Sequence, residues 1–349
     1  MSNTFFKKNV SIVEFLQKPL TKRVWWVTIN PVIMKKPTFE YLRISVTDRC
    51  NLRCQYCMPE GGIPPLSHDS ILRYEEIVSI VEVCSMVGVK RVRITGGEPL
   101  VRKGVVNLIA SVTKIPGISD VSITTNGHFL SQHAEALFAA GIHRLNISLD
   151  SLNHETYSAI TRGGSLQTVL DGIMLSKKLG FSPIKLNVVL IPGMNDSEVL
   201  GFARFAHQHG VHIRFIERMP FGVATQSQPF VSQQEIIEQV QREFVLTLDS
   251  ESYGGGPAQV FHLGTGKGRI GFISPRTQPY CHTCNRLRLT ANGYLMGCLD
   301  SREKTDVRGK SPEEVRDILR ILAERKQSVH QMCPSFQSSQ GTSLSKIGG

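Results

Sequence analysis

Six short segments, YLRISVT, RVRIT, VSITTN, RLNISLD, IKLNVVL and HIRFIE, punctuate residues 41–217 and share one pattern. In each, apolar and polar side chains alternate, as a strand with two unlike faces requires. Leu42, Ile44 and Val46 oppose Arg43, Ser45 and Thr47, and Val92 and Ile94 oppose Arg91, Arg93 and Thr95. Ile123 opposes Ser122, Thr124 and Asn126, while Leu145, Ile147 and Leu149 oppose Asn146, Ser148 and Asp150. Ile184, Leu186 and Val188 oppose Lys185 and Asn187, and Ile213 and Phe215 oppose His212 and Arg214. Helical patterns lie between the strands at about 74–88, 104–114, 131–141, 165–180 and 196–210, which makes these βα units of a parallel sheet. A parallel sheet with helices on both faces reads apolar throughout. Here only one face does, so the sheet is expected to curl and turn its polar face into a lumen. Arg43, Arg91, Arg93, Lys185 and Arg214 then crowd together, which is costly unless an anion joins them. An open sheet with one solvated face is the alternative.

Beyond residue 221 the rhythm changes. A helix near 232–242 precedes the strand-like pieces EFVLTL, AQVFHL and GRIGFIS, and RLRLTANGYLMGCL reads as a hairpin turning at Asn292-Gly293. A last helix opens at Ser311-Pro312, a good N-cap followed by Pro at the first helical position. The chain thus divides into an extension over 1–40, a βα region over 41–220, a smaller antiparallel region over 221–330 and a tail over 331–349 that ends Gly348-Gly349.

The formal charge is +11, and residues 1–40 hold seven basic against two acidic side chains, so that segment supplies +5 of it. A basic, acid-poor leader is a poorly ordered extension or an organelle-targeting peptide. The apolar stretch VWWVTINPVIM is too short to cross a bilayer, and no secretory signal opens the chain. The remaining positive excess suits an anionic ligand, a nucleotide or a nucleic acid.

Eight cysteines without an export signal point to metal or redox chemistry instead of disulfides. Six of them form two triads. Cys50-x3-Cys54-x2-Cys57 is a tight loop able to hold three corners of a [4Fe–4S] cube and leave the fourth iron to a non-protein ligand. Zinc or a structural cluster is the blander reading. TGGEP, residues 95–99, ends the second strand on the rim where barrels bind ligands; Gly96 and Gly97 allow close backbone approach, and Glu98 can accept from an ammonium. Cys281-x2-Cys284-x13-Cys298 spans the hairpin and again supplies three ligands. His282 or Cys333 could complete a zinc site there; otherwise an open iron could take a substrate heteroatom. Arg286 and Arg288, at period two, share a strand face, which is either solvated or set to recognise phosphate or carboxylate. Cys84 lies in register with Ile77, Ile80, Val81 and Val87 and reads as a core residue.

The cysteine triplet with Tyr56 before its last member resembles the radical S-adenosylmethionine superfamily. Adding RITGGEPL, TTNG, NISLDSL, KLNVV, RFIERMPF and the second triad, the chain resembles the GTP 3′,8-cyclases, which begin pterin formation for the molybdenum cofactor. The resemblance runs from Tyr41 to Leu322 and returns at the terminal Gly-Gly. It implies an incomplete (β/α)6 TIM-like barrel, open at one side, with a small C-terminal antiparallel α+β domain closing its mouth. It implies two [4Fe–4S] clusters, one on Cys50, Cys54 and Cys57, the other on Cys281, Cys284 and Cys298. Tyr56, Gly97, Ser148 and Met219 would line the S-adenosylmethionine site. Arg43, Arg93, Thr124, Lys185 and the segment Arg286, Leu287 and Arg288 would contact GTP, with Arg43, Arg286 and Arg288 assisting the radical steps. The terminal Gly-Gly would reach the active site.

The same resemblance implies action before cyclic pyranopterin monophosphate synthase, no nucleic-acid or membrane partner, an unspecified electron donor and an option of homodimerisation. It implies a cytoplasmic location, or a mitochondrial matrix location if the basic leader is a transit peptide. Residues 1–40 match nothing in the family, the stretch after Phe221 is short, and Asp300 stands where an apolar residue is usual. The rival readings are another radical enzyme with an auxiliary cluster acting on a peptide or an RNA base, and a zinc-binding nucleic-acid module.

Overall fold

The six alternating segments form strands β1 (Tyr41–Ser45), β2 (Arg91–Thr95), β3 (Asp120–Thr125), β4 (Leu145–Ser148), β5 (Ile184–Val189) and β6 (His212–Ile216). They lie side by side in chain order and run parallel. The computed structural model describes residues 39–219, 229–250, 256–299, 301 and 303–332, with side chains up to Lys326. Residues 1–38 of the leader, Phe221, Asp300, Cys333 and the terminal Gly-Gly, each singled out above, lie outside the described residues.

Helices α1 (Tyr74–Met86), α2 (Val105–Val112), α3 (Leu130–Ala139), α4 (His154–Thr161), α5 (Leu166–Lys178) and α6 (Val199–His209) connect the strands. Their apolar stripes bury Ile77, Ile80, Val81 and Cys84 on α1, Leu130, Ala134 and Leu137 on α3, and Phe202, Ala203 and Ala206 on α6. These join Leu42, Ile44, Ile94, Ile147, Leu186 and Ile213 from the apolar sheet face in one core. Each such Leu or Ile contributes about 1.5–3 kcal/mol on burial. Helix α4 is the element that periodicity does not reveal. It has only eight residues, buries Tyr157, Ile160 and Thr161, and starts at Asn153, whose side chain accepts from the amides of Glu155 and Thr156.

The later segments supply α7 (Gln233–Gln241), β7 (Leu246–Leu248), β8 (Gln259–Leu263), β9 (Arg269–Ile273), β10 (Arg286–Leu289), β11 (Tyr294–Met296), β12 (Thr305–Asp306) and α8 (Pro312–Met332). The antiparallel pairs foreseen for this region are present, including the β10–β11 hairpin. Its strands do not stand apart as a separate sheet. β9 pairs parallel with β6 and β10 pairs parallel with β1, so they extend both ends of one 12-stranded sheet ordered β12-β11-β10-β1-β2-β3-β4-β5-β6-β9-β8-β7.

The sheet curls as the alternation requires. Arg214 Nη1 on β6 donates to Asn146 Oδ1 on β4 at 3.3 Å, reaching over β5. The charges of Arg93 on β2 and Arg214 on β6 also act on each other, although a flat sheet would hold strands four positions apart roughly 19 Å from one another. The concave face is the polar one. No helix among the described residues is long and apolar enough to cross a membrane.

Candidate active site: two cysteine triads and a cationic concave face

The first triad follows β1, at the C-terminal rim of the parallel strands. Its loop is held by its neighbours. Gly97 N donates to Thr47 O at 2.8 Å and Glu98 N to Arg49 O at 2.8 Å, which continues the β1–β2 pairing into the cysteine loop. The amides of Cys57 and Met58 both donate to Cys54 O at 3.0 Å, folding Cys54 and Cys57 into one turn. On the other side, the end of α4 grips the loop: Gln55 N donates to Ile160 O at 2.9 Å, and Arg162 Nη1 to the carbonyls of Arg53 and Met58 at 2.8 and 2.9 Å.

The two glycines of TGGEP serve this packing. A Cβ on Gly97 would stand 2.4 Å from Arg49 O, and one on Gly96 would stand 2.6 Å from Thr47 O. The close approach is therefore to the chain's own backbone, and both glycines also line the cleft beside the cysteine loop. Glu98 also departs from expectation. Its buried carboxylate accepts from Leu100 N, Thr125 Oγ1 and Asn126 N at 3.0, 2.8 and 2.6 Å, so it ties the loops after β2 and β3 together instead of awaiting an ammonium. Burial pushes its carboxyl up to about 7 against the pull of those donors. Gly97→Ala must displace the cysteine loop. Anaerobically reconstituted protein carrying it should lose about four irons per chain with its far-ultraviolet circular dichroism retained; unchanged iron would contradict this.

Cys50, Cys54, Tyr56, Cys57, Gly97, Thr124 and Ser148 line one cleft. Six of the residues expected around the cofactor or its cluster, Tyr56 and Ser148 among them, are thus together, and Thr124, expected at GTP, joins them. Tyr56 Oη donates to Asp150 Oδ2 at 2.9 Å, which ties the cysteine loop to the segment after β4. Thr124 Oγ1 is buried with no hydrogen-bond partner, an unmet bond on the wall of this cleft. Burial raises the thiols of Cys50 and Cys54, and for Cys54 the neighbouring charges of Asp150, Cys57 and Cys50 add to it. Iron binding must therefore release protons.

The second triad belongs to the opposite end of the strands. Cys281 and Cys284 flank a short turn before β10, with Cys284 N donating to Cys281 O at 3.1 Å, and Cys298 follows β11. Because β10 runs parallel to β1, with Arg286 beside Tyr41, these cysteines sit at the N-terminal side of the sheet. A strand of five residues such as β1 spans about 16 Å, so that length of concave face separates the two triads. Cys281, Cys284, Cys298, Arg286 and Arg288 line a second cleft, and Met219 lines this one and not the first. His282 is exposed and does not line it. The side chain of Leu287 is buried in the hydrophobic core on the other face, so the expected contact of Leu287 with a ligand falls to its backbone alone.

Between the triads lies a row of cations. Register places Arg288, Arg43 and Arg93 side by side on β10, β1 and β2, and Lys185 follows on β5. Lys185 is buried, and burial with the charges of Arg214, Arg144 and Arg93 pulls its amine down to about 6. Burial also lowers Arg214 to about 9, with Arg93 adding, and Arg288 to about 10, with Arg286 adding. Arg43 is lowered well below its ordinary value by burial and by Arg288 and Arg93. A face that gathers this many positive charges, each disfavoured by burial and by its neighbours, carries a cost that a bound anion would relieve.

Sequence reasoning passed over Lys326 on α8. Burial raises the Cys284 thiol, but Arg286 and Lys326 outweigh it and bring the group down to about 7. Val315, Leu319, Leu322 and Lys326 recur at helical spacing on the buried face of α8, and that register was the available signal.

The donor sets fit iron–sulfur cages. None of the six triad cysteines is in a disulfide, and among the described residues neither cleft is lined by a fourth cysteine or a histidine. Among the described residues no three His, Cys, Asp or Glu side chains converge on a point where a single ion could sit. A cubane instead takes each thiolate on a separate iron.

The comparisons agree with this arrangement. The model of the Radical SAM superfamily matches residues 44–206, and that of Molybdenum Cofactor Synthesis C matches residues 211–332. Proteins called GTP 3′,8-cyclase are similar along nearly the whole chain. The one from Alkaliphilus metalliredigens is 43% identical over 90% of this chain and 100% of its own. Those from Moorella thermoacetica and Listeria monocytogenes are both 44% identical, over 88% and 89% of this chain and 97% and 96% of theirs. Streptococcus suis SuiB, solved bound to S-adenosylmethionine, shares the fold with a TM-score of 0.62 at 15% identity, over 83% of this chain and 68% of SuiB. The superfamily uses S-adenosylmethionine and a [4Fe–4S] cluster, and with these relatives and the two triads in place the chain belongs to the GTP 3′,8-cyclase family of radical SAM enzymes.

Proposed function

We propose that this chain converts GTP to (8S)-3′,8-cyclo-7,8-dihydroguanosine 5′-triphosphate in molybdenum cofactor synthesis. The observation that carries this reading is the row Arg288, Arg43 and Arg93, flanked by Lys185 and Arg214, on the concave face between two open cysteine triads. A triphosphate satisfies such a row, and a charge-poor peptide does not. Cys50, Cys54 and Cys57 would hold the first cluster, with Tyr56, Gly97 and Ser148 beside the S-adenosylmethionine it binds. Cys281, Cys284 and Cys298 would hold a second cluster whose open iron takes the guanine. When bound, the first cluster and S-adenosylmethionine would supply the one-electron chemistry that removes the hydrogen atom from C3′ of GTP.

The protein's own residues then have distinct tasks. Arg93, Lys185 and Arg214 hold the triphosphate, which fixes the ribose between the two cages. Arg43 and Arg288 stand next to each other in register and keep positive charge along the path on which C3′ closes on C8. Arg286, whose Nε donates to Cys284 Sγ at 3.4 Å, ties that face to the second cage. The buried Thr124 Oγ1 offers its hydrogen bond between the first cage and the substrate face. The barrel region over 41–220 would supply the cofactor site and the region over 221–330 the guanine site.

Incubating the reconstituted enzyme with S-adenosylmethionine, a reductant and GTP deuterated at C3′ tests this reading. Deuterium should appear in 5′-deoxyadenosine. Unlabelled 5′-deoxyadenosine formed alongside consumed GTP would defeat it.

A further inference from the structure

Lys326 lies on the apolar face of α8, in register with Val315, Leu319 and Leu322, and only 6% of it is exposed. A lysine is rarely buried this deeply unless its ammonium is fully engaged. Here it is: Nζ donates to Cys284 Sγ at 3.5 Å, to Arg286 O at 2.8 Å and to Gly297 O, and it stands 5.4 Å from the centre of the Phe39 ring. An ammonium has three donors, and each has an acceptor. Those acceptors lie on the two arms of the second triad. Arg286 follows Cys284 by two residues, and Gly297 immediately precedes Cys298. One side chain from the last helix therefore bridges the strands that present two of the three thiols and touches one sulfur directly.

We propose that Lys326 is a positioning residue for the second iron–sulfur cage, holding the arms of Cys284 and Cys298 at a fixed spacing and supplying an N–H···S contact that stabilises the reduced cluster. This rests on the reading that the second triad holds a cluster. A lysine that served only as internal glue would need the two carbonyls and not the sulfur. Donors to a coordinating sulfur fix the ligand's orientation and draw negative charge from the cluster, so their loss loosens iron and lowers the reduction potential.

The test uses the full-length chain with Cys50, Cys54 and Cys57 replaced by alanine, so that only the second cage takes up iron. This parent is compared anaerobically with the same chain carrying Lys326→Met. Arg320→Met, on an α8 side chain that is 61% exposed, is the control. Iron release to a chelator should be about 10-fold faster or more in Lys326→Met, and the midpoint potential, followed by electron paramagnetic resonance, should move to more negative values. Arg320→Met should match the parent in both. If Lys326→Met fails to fold, Lys326→Gln, which keeps an amide donor without the charge, should show the same two changes to a smaller extent. Iron that is retained at the parent rate with an unshifted potential would overturn the proposal alone. A parent that takes up no iron would overturn the reading of the second triad and the proposal with it.

Discussion

Cys54→Ala is expected to remove one cluster and with it all formation of 5′-deoxyadenosine. The first cysteine loop turns about Cys54. The amides of Cys57 and Met58 turn about its carbonyl, and α4 closes over the loop through Ile160, Thr161 and Arg162. Among the described residues no other cysteine or histidine lines that cleft, so none of them can replace the lost ligand. Iron should fall by about four per chain while the second cage keeps its own. GTP binding should survive, since the cationic row does not include the loop. Cys84 provides the internal comparison. It is fully buried among Ile77, Ile80 and Val81, burial pushes its thiol up to about 12, and Cys84→Ala should leave iron and activity intact at a modest stability cost. Residual cleavage of S-adenosylmethionine in Cys54→Ala, measured by chromatography, would contradict the assignment of the first cage.

Lys185→Met is expected to strengthen the ligand-free fold and weaken GTP binding at once. Burial and the charges of Arg214, Arg144 and Arg93 hold this amine near 6, against 10.5 in the unfolded chain, with Asp120 pulling the other way. Between those values the unfolded state binds a proton that the native state does not, so the lysine costs stability throughout the window and the cost shrinks as pH rises toward 10.5. Replacing it with an apolar residue of similar length should stabilise the ligand-free protein by on the order of 2 kcal/mol at pH 7. The gain, read from urea unfolding, should fade by pH 10. GTP affinity should drop on the order of 100-fold, since one buried cation facing a phosphate is lost. In the unsubstituted protein the triphosphate must recharge the amine, so binding should take up a proton and weaken as pH rises from 7 to 9. Calorimetry in buffers of different ionisation enthalpy measures that uptake. A pH-independent affinity over that range would remove Lys185 from the triphosphate site.

Much of this site is legible in the chain because it follows from a period of two. Alternation puts Arg43, Arg93, Lys185 and Arg214 on one face, and a parallel sheet cannot leave such a face flat and uncovered. The cysteine spacing is equally local, since three thiols within eight residues converge whatever surrounds them. What alternation cannot show is which distant segments become neighbours. β9 and β10 read as parts of an antiparallel region, and each does have an antiparallel partner, but their parallel pairing with β6 and β1 depends on contacts across more than fifty residues. Glu98 looks like a ligand from its motif, yet the loop after β3 claims its carboxylate. Gly97 reads as a ligand-facing glycine and does line the cleft, but its motif does not reveal that Arg49 O presses on its other side. Met219 follows β6 on the expected rim motif but lines the cleft of the second triad. Lys326 was hidden for a different reason. In a helix as charged as α8 a lysine draws no notice until its register with Leu319 and Leu322 is counted.

The central claim is that two cages, at opposite ends of one cationic face, each keep an iron for a small molecule. Mössbauer spectroscopy of protein reconstituted with iron-57 addresses it most directly. The account predicts about eight irons in two cubanes, one unique iron changing on addition of S-adenosylmethionine and another, in the other cubane, changing on addition of GTP. A spectrum in which either cubane stays unaltered by both molecules would contradict it.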